Sequence, residues 1–259
     1  MSTILFDKIV FGPIHSRRLG ISLGVNLLPT DGKYCSFDCI YCECGRNDER
    51  RTHTKLPLRE DVKKALEEKL TSMQQEGIAP DVITFAGNGE PTLHPEFEGI
   101  IDDTIEVRNR FFPSTKIAVL SNSTMLHKEG VFRALNKVDE NIMKLDSVLD
   151  SRIRQLNAPS SPCFTFDKLL EQLCRFEGNV IIQTMFLKGE VSGESVDNTT
   201  ETEINDWIKA LKKINPRQVM VYTIDRETPL KNLMKVSKDE LDAIAGRVRK
   251  EGFDVIVSY

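Results

Sequence analysis

Three thiols stand close together in the run Cys35-Ser36-Phe37-Asp38-Cys39-Ile40-Tyr41-Cys42, at spacings of four and three. One short loop can wrap them around a single inorganic centre. Thiolates are soft ligands, and at this density they favour zinc or an iron–sulfur cluster. Structural zinc fills four positions, and no second Cys or His pair stands downstream at zinc spacing. Three thiolates suit three irons of a 4Fe-4S cube and leave the fourth open. An open position on a metal centre marks chemistry, whereas a closed one marks scaffolding. A zinc-stabilised binding module without catalysis stays open as a reading from another class.

The pattern Cys-x3-Cys-x2-Cys, with the aromatic Tyr41 directly before the last Cys, resembles the signature of the radical S-adenosylmethionine (SAM) superfamily. The resemblance implies that Cys35, Cys39 and Cys42 ligate a 4Fe-4S cluster whose open iron chelates SAM, with Tyr41 beside it. It implies an electron donor such as flavodoxin or ferredoxin, reductive cleavage of SAM, and a 5′-deoxyadenosyl radical that takes hydrogen from a substrate. In such a system the protein supplies binding, orientation and exclusion of water.

Further candidates follow apolar runs. Gly87-Asn88-Gly89-Glu90-Pro91-Thr92 comes after the run at 81–86. Glycines let a backbone approach a ligand closely, and Glu90 can accept hydrogen bonds from an ammonium. The segment resembles the Gly-Gly-Glu-Pro stretch that meets the SAM amino group in the superfamily, from which it departs by the inserted Asn88; a plain βα turn is the alternative. Ser121 and Asn122 are candidates for the SAM carboxylate, the ribose or the substrate. Gln183 interrupts an apolar strand and resembles the position of a polar residue on the SAM ribose.

On the substrate side stand Asp146, Asp225 and Arg226, with Arg17 and Arg18 upstream. Lys144 shares the parity of Asp146, so a buried Lys–Asp pair without catalytic duty is the alternative there. Tyr222 and Thr223 cannot both face inward. Arginine matches carboxylate and phosphate geometry, although a solvated or structurally paired guanidinium is the simpler reading. Arg46, Arg50, Arg51, His53 and Lys55 crowd the segment after the thiols, interrupted by Asp48 and Glu49; such a run is usually a solvated face, and beside the thiols it also admits an anionic or phosphate-bearing substrate. Without interleaved aromatics it is not a convincing RNA patch, and nucleic acid is a possible partner that is not favoured.

These residues need a scaffold. Apolar runs of strand length alternate with amphipathic stretches from residue 57 onward. Strands are expected near 22–28, 81–86, 116–121, 141–145, 179–187, 218–224 and 253–258. Helices are expected near 58–75, 95–111, 128–135, 166–176, 201–214 and 238–250. Such alternation implies a parallel sheet covered by helices. A partial (β/α)6 barrel is the first choice and a doubly wound open sheet the alternative; the radical SAM resemblance selects the barrel. Parallel α/β sheets carry their chemistry at the C-terminal ends of the strands, where the candidates above fall. Gly12 to Gly20, rich in turn formers, is expected as a loop.

The 259 residues suffice for one domain, with a lead-in over 1–34, the thiol loop at 35–42 and the remaining units over 57–259. A net charge of −4 does not favour nucleic acid or a membrane surface. No apolar run reaches membrane-spanning length, and the N-terminus lacks a signal-peptide pattern. Four of the six cysteines fall between 35 and 44, which is ligand clustering and suits a reducing cytoplasm.

Gly12 to Pro29, Gly89 to Pro95 and Leu187-Lys188-Gly189 also resemble a largely uncharacterised bacterial group classed near the tRNA wyosine-base synthetases. The wyosine enzymes carry a second cluster on cysteines upstream of the triplet, and this chain has no Cys before Cys35. Base modification of tRNA therefore stands as the alternative reaction, with activation of a glycyl-radical enzyme as a further one. Cys44, Cys163 and Cys174 are too scattered for a second cluster. Cys44 reads as a bystander, or else as an auxiliary thiol, and Cys174 as a small buried hydrophobe.

Overall fold

The computed structural model describes residues 4–16, 19–47, 53–226 and 228–259. Arg17 and Arg18 lie outside the described residues, as do Arg50 and Arg51. The chain opens with β1 (Val10–Ser16) lying antiparallel on β2 (Gly20–Val25). The turn-rich run expected as a loop is thus a strand as far as Ser16. A register shift between Phe11 and Ile14 takes in Gly12-Pro13, the usual way for an edge strand to accommodate proline.

After β2 come the thiol loop and α1 (Arg59–Gln75). Alternation follows through β3 (Val82–Phe85), α2 (Phe97–Phe111), β4 (Lys116–Ser121), α3 (Glu129–Lys137) and β5 (Glu140–Lys144). Next are α4 (Asp150–Asn157), α5 (Phe166–Cys174), β6 (Ile181–Val191) and β7 (Glu194–Asp197). The chain ends with α6 (Glu201–Ile214), β8 (Gln218–Thr223), β9 (Leu233–Lys235), α7 (Lys238–Lys250) and β10 (Val255–Ser258).

Strands β2, β3, β4, β5, β6, β8 and β10 pair in that order, all parallel. The sheet curls into the partial α/β barrel expected of a radical SAM chain. Among the described residues no ladder joins β10 to β1, so the barrel is open.

The reasons are local. All four side chains of β3 are buried, which needs cover on both faces. Helix α1 buries Val62, Leu66, Leu70 and Met73, the stripe its period foretells. Each such side chain contributes about 1.5–3 kcal/mol on leaving water. Thr200 caps α6 and a Ser237–Glu240 capping box starts α7, so both begin where sequence period alone sets them.

Three further elements were not expected. Helix α4 has eight residues and only Ile153, Leu156 and Asn157 are buried, too few to show a period. Strand β6 runs on past the barrel to Val191, and its far half pairs antiparallel with β7 and β9. Those partners are four and three residues long, below the length at which alternation is legible.

Candidate active site

At the C-terminal ends of the strands lies a cavity of about 310 Å³. The thiol loop supplies Cys35, Cys39, Tyr41 and Cys42 to its wall. The turn after β3 supplies Gly87, Gly89 and Glu90, and the end of β4 supplies Ser121 and Asn122. Lys144 from β5, Gln183 and Met185 from β6 and Tyr222 from β8 add to it. A larger hollow of about 600 Å³ opens at the opposite end of the sheet, around Asp81, Phe112 and Glu140. Position and chemistry single out the smaller one, because ligands of parallel α/β sheets bind at the carboxyl ends.

The thiol loop is anchored at both ends. Tyr34 donates its N–H to the Asn88 carbonyl (2.8 Å) and accepts from Glu90 N–H (3.2 Å), forming a short parallel bridge to Gly89. Gly89 sits at φ 140°, and a Cβ there would collide with the Tyr34 carbonyl. Farther on, Asp38 N–H reaches Asn157 O (2.8 Å) and Ile40 N–H reaches Leu156 O (3.0 Å), tying the loop to α4. Beneath it the Lys33 ammonium, with its side chain 1% exposed, donates to Asp38 Oδ1 (3.1 Å) and to Gly45 O (2.8 Å). Asp38 also holds Arg46 (3.1 Å) and Asn47 N–H (2.9 Å).

Cys44, read from sequence as a bystander, lines the cavity and contacts Gly87 O at 3.5 Å. A hydrogen bond from the Cys44 thiol, with help from the Lys33 ammonium, holds the Cys42 thiol below its ordinary value. Burial, aided for Cys35 by the facing Cys39 thiol, pushes Cys35 and Cys39 up. Among the described residues no three His, Cys, Asp or Glu side chains gather closely enough to hold one metal ion.

Two buried carboxylates flank the cavity. Glu90 is 2% exposed. Its Oε1 accepts from Thr92 N–H (3.1 Å), Thr92 Oγ1 (2.5 Å) and Ser121 Oγ (2.9 Å), and its Oε2 accepts from Asn122 N–H (2.6 Å). Among the described residues it forms no ion pair, and burial raises its pKa above the ordinary carboxylate value.

Asp146 differs. Its side chain is 0% exposed and sits behind the wall. It accepts from the Tyr41 hydroxyl, from Asn157 Nδ2 (2.7 Å) and from Met185 N–H (3.0 Å), with the Lys144 ammonium 3.4 Å away. Lys144 also donates to the Tyr41 hydroxyl (2.8 Å) and faces the Tyr222 hydroxyl at 3.5 Å. Burial alone would lower the Lys144 pKa; Asp146 and Tyr222 outweigh it and raise it. The wall therefore presents a fixed ammonium, and the carboxylate expected to meet substrate stands behind it.

The remaining expectations divide. Gln183 lies on the wall with its amide nitrogen buried and without a hydrogen-bond partner. Thr184, of opposite parity, points away and donates to Leu145 O (2.7 Å). Tyr222 faces in, while Thr223 faces out and accepts from Val236 N–H (2.8 Å). Asn122 donates to Ser36 Oγ (2.9 Å) and Cys35 Sγ (3.6 Å).

Asn88 is not on the wall. Its side chain is consumed by Phe6 and by Pro29 O (2.9 Å), so it is a strut for the lead-in. Asp225 and Arg226 do not line the cavity either, although Glu43, the partner of Arg226, does. Asp225 lies 3.9 Å from Lys235, and Arg226 pairs with Glu43 at 2.7 Å in an exposed bridge. β8 ends at Thr223, and residues past a strand end no longer point by parity.

Sequence reasoning passed over Lys33, Asp38 and Asn157. The nearness of Lys33 and Asp38 to the thiols is the signal that could have found the first two. Asn157 comes from α4, and nothing local marks it.

No family model matches the chain. A UPF0026 protein of Methanocaldococcus jannaschii is 33% identical over 238 residues, spanning 90% of this chain and 68% of that protein. The chain belongs to the UPF0026 family. A UPF0026 protein of Helicobacter pylori is 31% identical over 237 residues, with 90% of this chain and 71% of that one covered.

Solved structures agree on the fold of this UPF0026 chain. A radical SAM methyltransferase from Sphaerobacter thermophilus superposes with TM-score 0.67 at 15% identity, over 92% of this chain and 66% of that one. TYW1 with a lysine-pyruvate adduct bound gives 0.65 at 15% identity, over 88% and 73%. Streptococcus suis SuiB bound to S-adenosylmethionine gives 0.63 at 13% identity, over 90% and 50%. The fold of the UPF0026 chain is that of radical SAM enzymes. No helix among the described residues is long and apolar enough to cross a membrane.

Proposed function

We propose that the chain is a radical SAM enzyme, with Cys35, Cys39 and Cys42 as ligands of a 4Fe-4S cluster and SAM bound against it. One observation carries this. The three thiols, Glu90, Asn122 and Gln183 come from separate parts of the sequence and line one cavity at the carboxyl ends of the strands. The residues fit both groups: the three thiols ring one cavity more widely than a single ion needs, as a multi-iron cluster requires, while the unpartnered Gln183 amide nitrogen wants an acceptor and the cation-free Glu90 wants an ammonium. When bound, the cluster and SAM supply reductive cleavage to methionine and a 5′-deoxyadenosyl radical, given an electron from a donor of the flavodoxin or ferredoxin kind.

The chain's own residues do the rest. Glu90 orients the amino group of SAM, with the backbone of Gly87 and Gly89 beside it on the wall. Gln183 and Asn122 offer polar contacts to the remainder. Lys144 faces the substrate as a fixed ammonium and favours an anionic group there. Tyr41, Phe37 and Met185 exclude water beside the thiols.

The test is anaerobic reconstitution with iron and sulfide, addition of dithionite and SAM, and detection of 5′-deoxyadenosine by mass spectrometry. Product is expected to depend on the reductant and to vanish in Cys39→Ala. A folded protein that takes up zinc but no iron or sulfide overturns the proposal.

A further inference from the structure

Lys33 is unusual for its place. It precedes Cys35 by two residues, yet its ammonium is turned inward and enclosed, with a side chain 1% exposed. A buried ammonium is costly unless it is paired and hydrogen-bonded. Lys33 has two anchors on the loop itself: Asp38, between the first two thiols, and the carbonyl of Gly45, just past the last. Gly45 N–H in turn closes a turn on Cys42 O at 2.9 Å. These bonds fix the ammonium under the turn that carries Cys42. There its charge lies within electrostatic reach of the Cys42 and Cys35 thiols.

We propose that Lys33 is a positioning residue that makes the cluster easier to reduce, by holding a permanent positive charge beneath the thiol loop. This rests on the cluster assignment above. Adding one electron makes a thiolate-ligated cluster more negative, and a fixed cation in a poorly screened site favours the more negative state. Asp38 opposes the effect, since it lends the same site a negative charge that Arg46 only partly offsets. The two side chains therefore pull the potential in opposite directions.

The test uses full-length protein reconstituted with iron and sulfide, and reads the cluster midpoint by a redox titration followed by electron paramagnetic resonance. Lys33→Met is expected to shift the reduced-to-oxidised ratio at fixed potential about tenfold toward oxidised, or about 59 mV for one electron. Lys33→Arg keeps the charge and is expected to stay near wild type. Asp38→Asn is expected to shift the other way. Iron and sulfide per chain are measured alongside. Wild-type midpoints in both fully loaded charge-changing variants overturn the proposal. If Lys33→Met fails to load, Asp38→Asn decides alone, and an unshifted midpoint there also overturns it. Wild-type protein without a cluster would instead count against the proposed function.

Discussion

Glu90, on the wall of the cavity, and Asp146, behind it, are two buried carboxylates satisfied in different currencies. Asp146 has an ammonium, a phenol, an amide and a backbone N–H of its own. Glu90 has hydroxyls and backbone N–H groups alone. Desolvation penalises the ionised form of both, but only Asp146 has a counter-charge from the fold. A carboxylate without one is primed for a cationic ligand; a carboxylate with one holds the wall together. The sequence reading gave both residues ligand-side roles, and the structure separates them.

The largest effect is expected from Asp146→Ala. It leaves Lys144 and the Tyr41 hydroxyl facing a gap, and removing one partner of a buried pair costs about 3–5 kcal/mol. Urea unfolding at neutral pH measures it. A loss below about 1 kcal/mol would mean that the pair is dispensable and the contrast with Glu90 is wrong.

Glu90→Gln removes the charge and sets an amide nitrogen against the donors that Glu90 accepts. SAM affinity is expected to fall about 10-fold or more, as for one hydrogen bond to a charged group. Equilibrium dialysis with the reconstituted protein reads this, and unchanged affinity would take Glu90 out of the SAM site.

A smaller effect lies in pH. Burial holds the Glu90 carboxyl above its ordinary value of 4.5, so the folded chain keeps a proton that the unfolded chain has released. The associated stability is present below the ordinary value and is lost as pH rises through the raised one. Wild type should therefore lose stability relative to Glu90→Gln as pH climbs from the ordinary value to the raised one, and no more beyond it. Thermal unfolding at stepped pH checks it, and parallel profiles would contradict it.

The smallest effect is expected from Arg226→Ala. Its bridge to Glu43 is exposed, and such pairs contribute about 0–1 kcal/mol. A larger loss in the same urea series would give the β8 end a role that its exposure argues against.

Much of the frame was legible because its signals are local. Apolar runs at 116–121 and 218–224 announce β4 and β8, and the stripe from Val62 to Met73 announces α1. Residues inside strands could be placed by parity, which put Gln183 in and Thr184 out. Outside the strands parity is silent. Asn88 has glycine on either side, and its direction is set by Phe6 and Pro29, far away in sequence. Asp146 follows β5 by two positions, where turning of the chain takes it behind Lys144. Cys44 looked incidental because its neighbour Gly87 lies 43 residues on. What escaped the sequence is the set of contacts made by turns.

The bridge between Tyr34 and Gly89, with the ties from Asp38 and Ile40 to α4, has a consequence for the life of the protein. In a zinc finger the chain is ordered by its metal, and loss of the ion is loss of the fold. Here peptide hydrogen bonds to the turn after β3 and to α4 hold the thiol loop, so its order does not rest on its thiols alone. On the proposed cluster assignment, loading and folding become separable steps, and loss of the cluster is not loss of the fold.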